Sequence, residues 1–387
     1  VTLRATVALL VLGIVPLAAP PGSAAPAEGR KPRAVIHYDA QGNVARQEID
    51  TTGAGRVNLW VYYEAGQMVR QEEDTVGDGK PHVWSFFQDG RLTRQEVDRR
   101  GQGRPDVWYE LDAAGALVRK SEDTTGRGQA DLVVQYQGGL PARSEQDLDG
   151  DGRPDRFLVF AAGRLERLEE ATRRDGRIDL RVTFDAKGNR LREERGTAGR
   201  GDASSVAHYD DGVLVKLEED PRGSGRPSRW SYYSAGELAR MEEDRNGDGR
   251  PDVWVTFAQG KRVTQTEDPD FTGRATVRYY FENEELARME ERSAADGPPD
   301  LVTHYANGQV TRKEHDTKRA GRFDLISYYQ DGALARQEAR TICPDRADVW
   351  VYYQNGNRIR QEEDQDCDGV ADVSYFFENG SVRREAK

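Results

Sequence analysis

Hydrophobic positions along this chain come in short bursts, separated by polar runs rich in Gly and Asp. Trp60, Trp84 and Trp108 lie 24 residues apart, as do Trp230 and Trp254, and Trp350 falls four periods beyond Trp254. The unit reads apolar–Trp–x–Tyr–Tyr–x–x–Gly–x–Leu–x–Arg–x–Glu–Glu–Asp–x–x–Gly–Asp–Gly–x–Pro–Asp. Residues 83–106 and 229–252 are clear copies. About fifteen copies occupy residues 34–387, with one-residue insertions near Asp112 and Lys187. A short period sustained over a whole chain marks a repeat architecture in which each unit is one supersecondary element.

Each unit carries two strand signals. The first is the aromatic Trp–x–Tyr–Tyr block and the second is Leu–x–Arg–x–Glu. Between them sit pairs such as Asp89-Gly90, Asn307-Gly308, Asn355-Gly356 and Asn379-Gly380. Such pairs accept the positive φ angles of a type I′ turn, the usual two-residue hairpin link. Gly holds the second turn position in fourteen of fifteen copies, and Glu284 is the exception. The expected fold is therefore all-β: tandem 24-residue hairpins pairing edge to edge in an elongated, twisted antiparallel meander. A β-solenoid with one coil per repeat is the alternative. A strict two-residue turn at Asp89-Gly90 would set Phe87 opposite Leu92, Ser85 opposite Arg94 and Val83 opposite Glu96. Leu92, Arg94 and Glu96 would then share one face, with Trp84 and Phe86 on the other. The Arg row is interrupted by Lys216 and Thr264, the Glu row by Ser121 and Thr266. Read structurally, these rows are solvated salt bridges. Read functionally, they are a docking surface, but a mixed row has no net sign to steer a partner.

Composition agrees with strands and turns more than with one large core. Apolar residues are 36% and charged residues 32% of the 387, with 40 Gly. A net charge of −12 argues against a protein that binds nucleic acid by neutralising phosphates. Residues 1–25 hold one charge, Arg4, then an apolar run from Ala5 to Ala19 and small residues through Ala25. This is the pattern of a secretory signal peptide; the alternative is an uncleaved anchor. Residues 26–33 read as a short linker. The expectation is an exported protein, secreted, at the cell surface or in a periplasm, with no membrane span after cleavage.

The connecting loops hold the candidate chemistry. Asp147, Asp149, Asp151 and Asp155 lie in DLDGDGRPD; Asp244, Asn246, Asp248 and Asp252 in DRNGDGRPD; Asp364, Asp366, Asp368 and Asp372 in DQDCDGVAD. Oxygens at loop positions 1, 3 and 5 with Gly at 6 are the spacing that wraps a hard cation such as Ca2+. Position 12 falls in the next strand and is not acidic, so these are not EF-hands. The competing reading is a turn that requires Gly, because Gly55, Gly103, Gly225 and Gly321 keep position 6 where the acidic triplet is absent. Position 9 is Asp in nine of fourteen loops and Asn58, His82, Ser204, Ser228 or Thr276 in the others, all able to hydrogen-bond a turn. Cys343 and Cys367 are one period apart, so stacking of adjacent repeats favours a disulfide in an oxidising compartment. The alternative is two free thiols.

No P-loop, Gly-x-Ser-x-Gly or His-Glu-x-x-His motif occurs. Pairs such as Glu72-Glu73 recur with the repeat, unlike an acid/base dyad enclosed in one pocket. His82, His304 and His315 show no ligand-like spacing to Cys or to one another. The string WVYYQNGNRIRQEED at 350–364 resembles the MORN-type repeats of bacteria. HYDAQGN at 37–43 and TFDAKGN at 183–189 resemble the YD repeats of RHS-type shells. Both resemblances imply β-hairpin arrays and carry no catalytic residues. The Asp-Gly loops depart from both families and resemble thrombospondin type 3 or dockerin calcium loops. The functional expectation is an exported, non-enzymatic repeat scaffold, calcium-stabilised, that binds a protein or glycan. The alternative is a carbohydrate-binding module using rows of Trp and Tyr.

Overall fold

The computed structural model describes residues 33–196, 203–378 and 380–386. The expected leader at 1–25, residues 26–32 of the expected linker and Asn379 of the last turn lie outside them. Every regular element among the described residues is a β-strand, thirty in all. The chain divides into two units, one ending at Gly176 and the other beginning at Arg177. In the first, β1 (Arg33–Tyr38) to β12 (Arg164–Glu170) pair in chain order. In the second, β13 (Leu180–Phe184) to β30 (Ser381–Ala386) do the same. All of these pairings are antiparallel, so each unit is a meander; stacking coils of a solenoid would pair strands in parallel.

The turns follow from their sequence. Asp89 and Gly90 adopt φ of 51° and 75°, as a type I′ turn requires, and Asn355-Gly356 does the same at 50° and 78°. At the three longer turns the preceding Asp closes the loop itself. Asp112, for example, accepts the N–H groups of Ala114 and Ala116 at 2.8 and 2.9 Å.

The register departs from that of a plain two-residue hairpin. In β5 (Val83–Gln88) and β6 (Arg91–Val97), Phe87 does face Leu92, but Phe86 faces Arg94 and Trp84 faces Glu96. A β-bulge lies between, with Thr93 as the extra residue, and its hydroxyl donates to the Phe86 carbonyl at 3.3 Å. One inserted residue moves everything beyond it to the other face. Arg94 and Glu96 therefore share the face of Trp84 and Phe86, while Leu92 joins Ser85 and Val83 on the opposite one. The same shift recurs at Tyr62/Tyr63, Tyr232/Tyr233 and Tyr352/Tyr353. The last hairpin has no bulge, and there Arg383 takes the place opposite Phe376.

The bulge builds an interlocked triplet. Arg70 lies 4.5 Å from the Tyr62 ring centroid, ion-pairs with Glu72, and the Tyr62 hydroxyl donates to Glu72 at 3.0 Å. Tyr232, Arg240 and Glu242 repeat the arrangement, as do Tyr352, Arg360 and Glu362. Burial and the accepting Glu72 push the Tyr62 phenol up, so it remains a donor. The arginines are about half exposed, and each exposed ion pair contributes only ~0–1 kcal/mol.

The opposite face carries small residues at its most buried points: Val61, Ser85, Val134, Val255, Thr303 and Ser327. The deepest side chains are not all apolar. Asp123, Asp268, Asp348 and Asp364 stand with Val107, Val134, Val253 and Thr303 among the largest that are fully buried. The connecting loops thus bury ionisable side chains as deeply as the strands bury valines.

One hairpin breaks the turn rule. In the link between β21 (Val277–Glu282) and β22 (Glu285–Glu291), Glu284 takes φ +70° where the other copies have Gly. A residue with a Cβ in this region costs about 1 kcal/mol. Glu284→Gly should raise stability by about that amount in urea denaturation, whereas Gly308→Glu, in the next hairpin, should lower it.

Candidate metal-binding loops

Each of the three candidate loops is closed by its own carboxylates. The Asp at position 1 accepts backbone N–H groups from positions 4 and 6. For Asp147 these are Gly150 at 2.6 Å and Gly152 at 2.8 Å; for Asp244, Gly247 at 2.6 Å and Gly249 at 2.8 Å; for Asp364, Cys367 at 2.8 Å and Gly369 at 2.7 Å. Positions 4 and 6 both have positive φ, for example 84° at Gly150 and 88° at Gly152. Two left-handed residues turn their N–H groups inward and make a small anion-binding nest, filled here by the carboxylate of position 1. Burial pushes the Asp147 carboxyl up, but these N–H groups outweigh it and hold it below the ordinary carboxylate range.

Position 9 closes the loop from its other end. Asp155 accepts Leu148 N–H at 2.8 Å, Asp252 accepts Arg245 N–H at 2.7 Å and Asp372 accepts Gln365 N–H at 2.7 Å. The backbone N–H of position 9 is itself held by the strand before the loop, as with Asp155 to the Gln146 carbonyl at 2.8 Å. Positions 1 and 9 are thereby brought side by side, with position 3 beside them.

Two groups of three carboxylates result: Asp147, Asp149 and Asp155 in the first unit, and Asp364, Asp366 and Asp372 in the second. Within each group one oxygen per residue lies within 4.8 Å of the others. Carboxylates this close repel unless protons or a cation intervene, and an all-oxygen set suits a hard divalent ion. Asp149 and Asp366 are exposed, so such an ion has a route from solvent.

Asp151, Asp248 and Asp368, at position 5, are not part of these groups. Each turns its carboxylate to the N–H two residues on: Arg153 at 2.8 Å, Arg250 at 2.8 Å and Val370 at 2.7 Å. Ligation at positions 1, 3 and 5 therefore gives way to a grouping at 1, 3 and 9. The Asp244 loop has an amide at position 3. Asn246 donates to Asp248 at 3.3 Å, and no group of three carboxylates forms there.

A third group was not legible from spacing alone. Asp74, Asp78 and His82 occupy positions 1, 5 and 9 of one loop and also lie within 4.8 Å of one another. His82 Nδ1 is 3.6 Å from Asp74, and Nε2 is 3.6 Å from Asp78. The signal in the sequence was a His at position 9, where most copies have Asp.

Adjacent loops are tied together. Arg127 donates to the Asp149 carbonyl at 2.8 Å and Arg346 to the Asp368 carbonyl at 2.9 Å. Gly150 is favoured by its φ of 84°, and a Cβ there would also push aside the Arg127 guanidinium. Cys343 and Cys367, both at position 4, are joined in a disulfide with Cα atoms 5.6 Å apart. A loop of this size contributes about 3 kcal/mol through the unfolded chain. Thiol titration of the denatured, unreduced protein should find no free thiol, and reduction should lower stability by about that amount.

The aromatic rows are flanked by cations. Tyr62 lies between Arg46 at 5.7 Å and Arg70 at 4.5 Å, Tyr328 between Arg312 at 5.8 Å and Arg336 at 5.7 Å. A sugar stacking on these rings would have to displace a guanidinium.

The repeat array places the chain in the class of all-β hairpin-repeat proteins. No protein-family model matches it, and no curated protein does. Among solved structures, a TcdB2-TccC3-TEV structure aligns over 91% of this chain and 20% of that one, at 13% identity and a TM-score of 0.19. A TcdB2-TccC3-Cdc42 structure aligns over 89% and 22%, at 12% identity and a TM-score of 0.17. Accessory secretory protein 1,2 and 3 of Streptococcus pneumoniae aligns over 25% and 20%, at 18% identity and a TM-score of 0.20. The chain spans only about a fifth of the length of each.

Proposed function

We propose that this protein is an exported, non-enzymatic repeat scaffold that presents its strands to a protein partner and is stiffened by calcium at two of its loops. The observation that carries this reading is the pair of carboxylate groups at 1, 3 and 9, built identically around Asp147 and Asp364 on a loop frame that recurs along the chain. The disulfide between Cys343 and Cys367 supports an oxidising compartment. The MORN-type and YD-type resemblances belong to the same reading.

Amide hydrogen exchange tests the stiffening. In millimolar calcium the amides of residues 147–155 and 364–372 should exchange more slowly than in chelator, while those of 98–106 should not change. Equal rates throughout would remove calcium from the account. Partner binding is tested by retention on the immobilised mature chain, with the calcium-dependent fraction compared between the wild type and Asp149→Asn/Asp366→Asn.

A further inference from the structure

We propose that Asp74, Asp78 and His82 form a binding site for a divalent transition-metal ion of the zinc type, separate from the calcium loops. His82 is only 5% exposed, and its Nδ1 is buried with no hydrogen-bond partner. Buried polar atoms in folded proteins are nearly always paired, so an unpaired imidazole nitrogen facing a buried carboxylate calls for a ligand. In neighbouring loops the position-9 side chain accepts the N–H of position 2, as Asp106 does from Arg99 at 2.8 Å. His82 Nδ1 accepts nothing.

The distances fit an ion better than a hydrogen bond. His82 Nδ1 stands 3.6 Å from Asp74 and Nε2 3.6 Å from Asp78, both beyond the usual range for N–H···O bonds. Only one ring nitrogen can bind a given ion, so with the unpaired Nδ1 as the ligand the Asp74 separation is the one to compare, and Asp78 joins as an oxygen within 4.8 Å of the group. Two ligands at about 2.0–2.1 Å from a tetrahedral Zn2+ stand about 3.4 Å apart, close to the Nδ1–Asp74 separation. The carboxylates are held in place by the backbone. Asp74 takes the N–H groups of Gly77 at 2.6 Å and Gly79 at 2.7 Å, and Asp78 takes Lys80 N–H on Oδ1 at 2.9 Å, leaving Oδ2 toward His82. Asp78 is half exposed, which gives the ion a way in. One ring nitrogen and two carboxylate oxygens supply three ligands, and water would supply the fourth. Imidazole selects Zn2+, Cu2+ or Ni2+ over Ca2+, which takes oxygen alone.

The test is calorimetric titration of Zn2+ into the intact chain, freed of metals and then held in millimolar calcium. Because calcium is present throughout, the outcome is independent of whether the Asp147 and Asp364 loops bind it. The wild type should take up one Zn2+ per chain. His82→Gln and Asp78→Asn should each weaken that uptake by more than the tenfold or so that losing an outer-shell partner costs. Co2+ should give the visible absorption of a tetrahedral site in the wild type and not in His82→Gln. If His82→Gln fails to fold, Asp78→Asn, altered at a half-exposed carboxylate, carries the comparison. No uptake, or uptake equal in wild type and variants, would overturn the site.

Discussion

Asp123→Ala should destabilise the first unit by about 3 kcal/mol, far more than substitution of most strand residues. The side chain is 2% exposed and accepts Gly126 N–H at 2.5 Å, Gly128 N–H at 2.7 Å and Arg127 N–H at 3.1 Å. The loop has no acidic group at position 3 or 5, so no metal enters the comparison. Alanine leaves converging N–H donors unsatisfied, and hydrogen bonds to a charged acceptor are worth about 1.5–3 kcal/mol each before water partly replaces them. Asn keeps an acceptor without the charge and should cost roughly half as much. Asp149→Ala, at an exposed carboxylate that accepts only Asp151 N–H at 3.0 Å, should cost less than about 0.5 kcal/mol. Urea denaturation of the three variants measures the ranking. A loss under 1 kcal/mol for Asp123→Ala would mean that the nests are incidental to the fold.

Acid should unfold the protein over a narrow range below the ordinary carboxylate pKa. Asp74, Asp123, Asp147, Asp220 and Asp268 at position 1, with Asp348 at position 9, are all held below that value. In each, burial pushes the carboxyl up and the backbone N–H groups more than reverse it. A folded-state pKa below the unfolded one gives stability that is fully present above the unfolded value, about 3.9, and lost as pH falls through the folded value. The losses add across loops, so the urea midpoint should be flat from about pH 5.5 to 8 and fall steeply from about pH 4 downward. Glu73 works in the opposite direction, since burial raises its pKa, but it is one carboxyl against the thirteen held low among the described residues. Asp123→Asn should make the acid limb shallower. A midpoint that declines mainly between pH 8 and 6 would contradict this, because no aspartate held low titrates there.

The sequence makes the array legible because its signals are local. Asn355-Gly356 specifies its own turn, and the Trp period reports the repeat without knowledge of the neighbours. The bulge was hidden because Thr93 resembles any other strand residue; the only trace is a second strand of seven residues against a first of six. With it the assignment of faces reversed, which joins Arg94 to Phe86. At the loops, positions 1 and 3 were readable as an oxygen pattern. Position 9 is among the candidate oxygens too, at Asp155 and Asp372, but spacing alone does not rank it above position 5, because it reaches the group only through its backbone bond to the preceding strand. Position 5 was misleading, because the carboxylates of Asp151, Asp248 and Asp368 are taken by the N–H two residues on, which the spacing does not show. His82 has no ligand-like spacing to Cys or to another His, and its partners are instead the carboxylates Asp74 and Asp78 of its own loop.

The most direct measurement is the melting temperature of the protein in chelator and in millimolar calcium, for the wild type and two double variants. Calcium that binds only the folded state stabilises by about 2.7 kcal/mol per site at a hundredfold excess over its dissociation constant. The wild type should melt higher in calcium, and magnesium should do less because it demands stricter octahedral geometry. Asp149→Asn/Asp366→Asn removes position 3 from both groups and should abolish the shift. Asp151→Asn/Asp368→Asn alters carboxylates that point away and should keep it. A melting temperature that is the same in chelator and calcium, or a shift lost on changing Asp151 and Asp368 but kept on changing Asp149 and Asp366, would contradict the grouping at positions 1, 3 and 9.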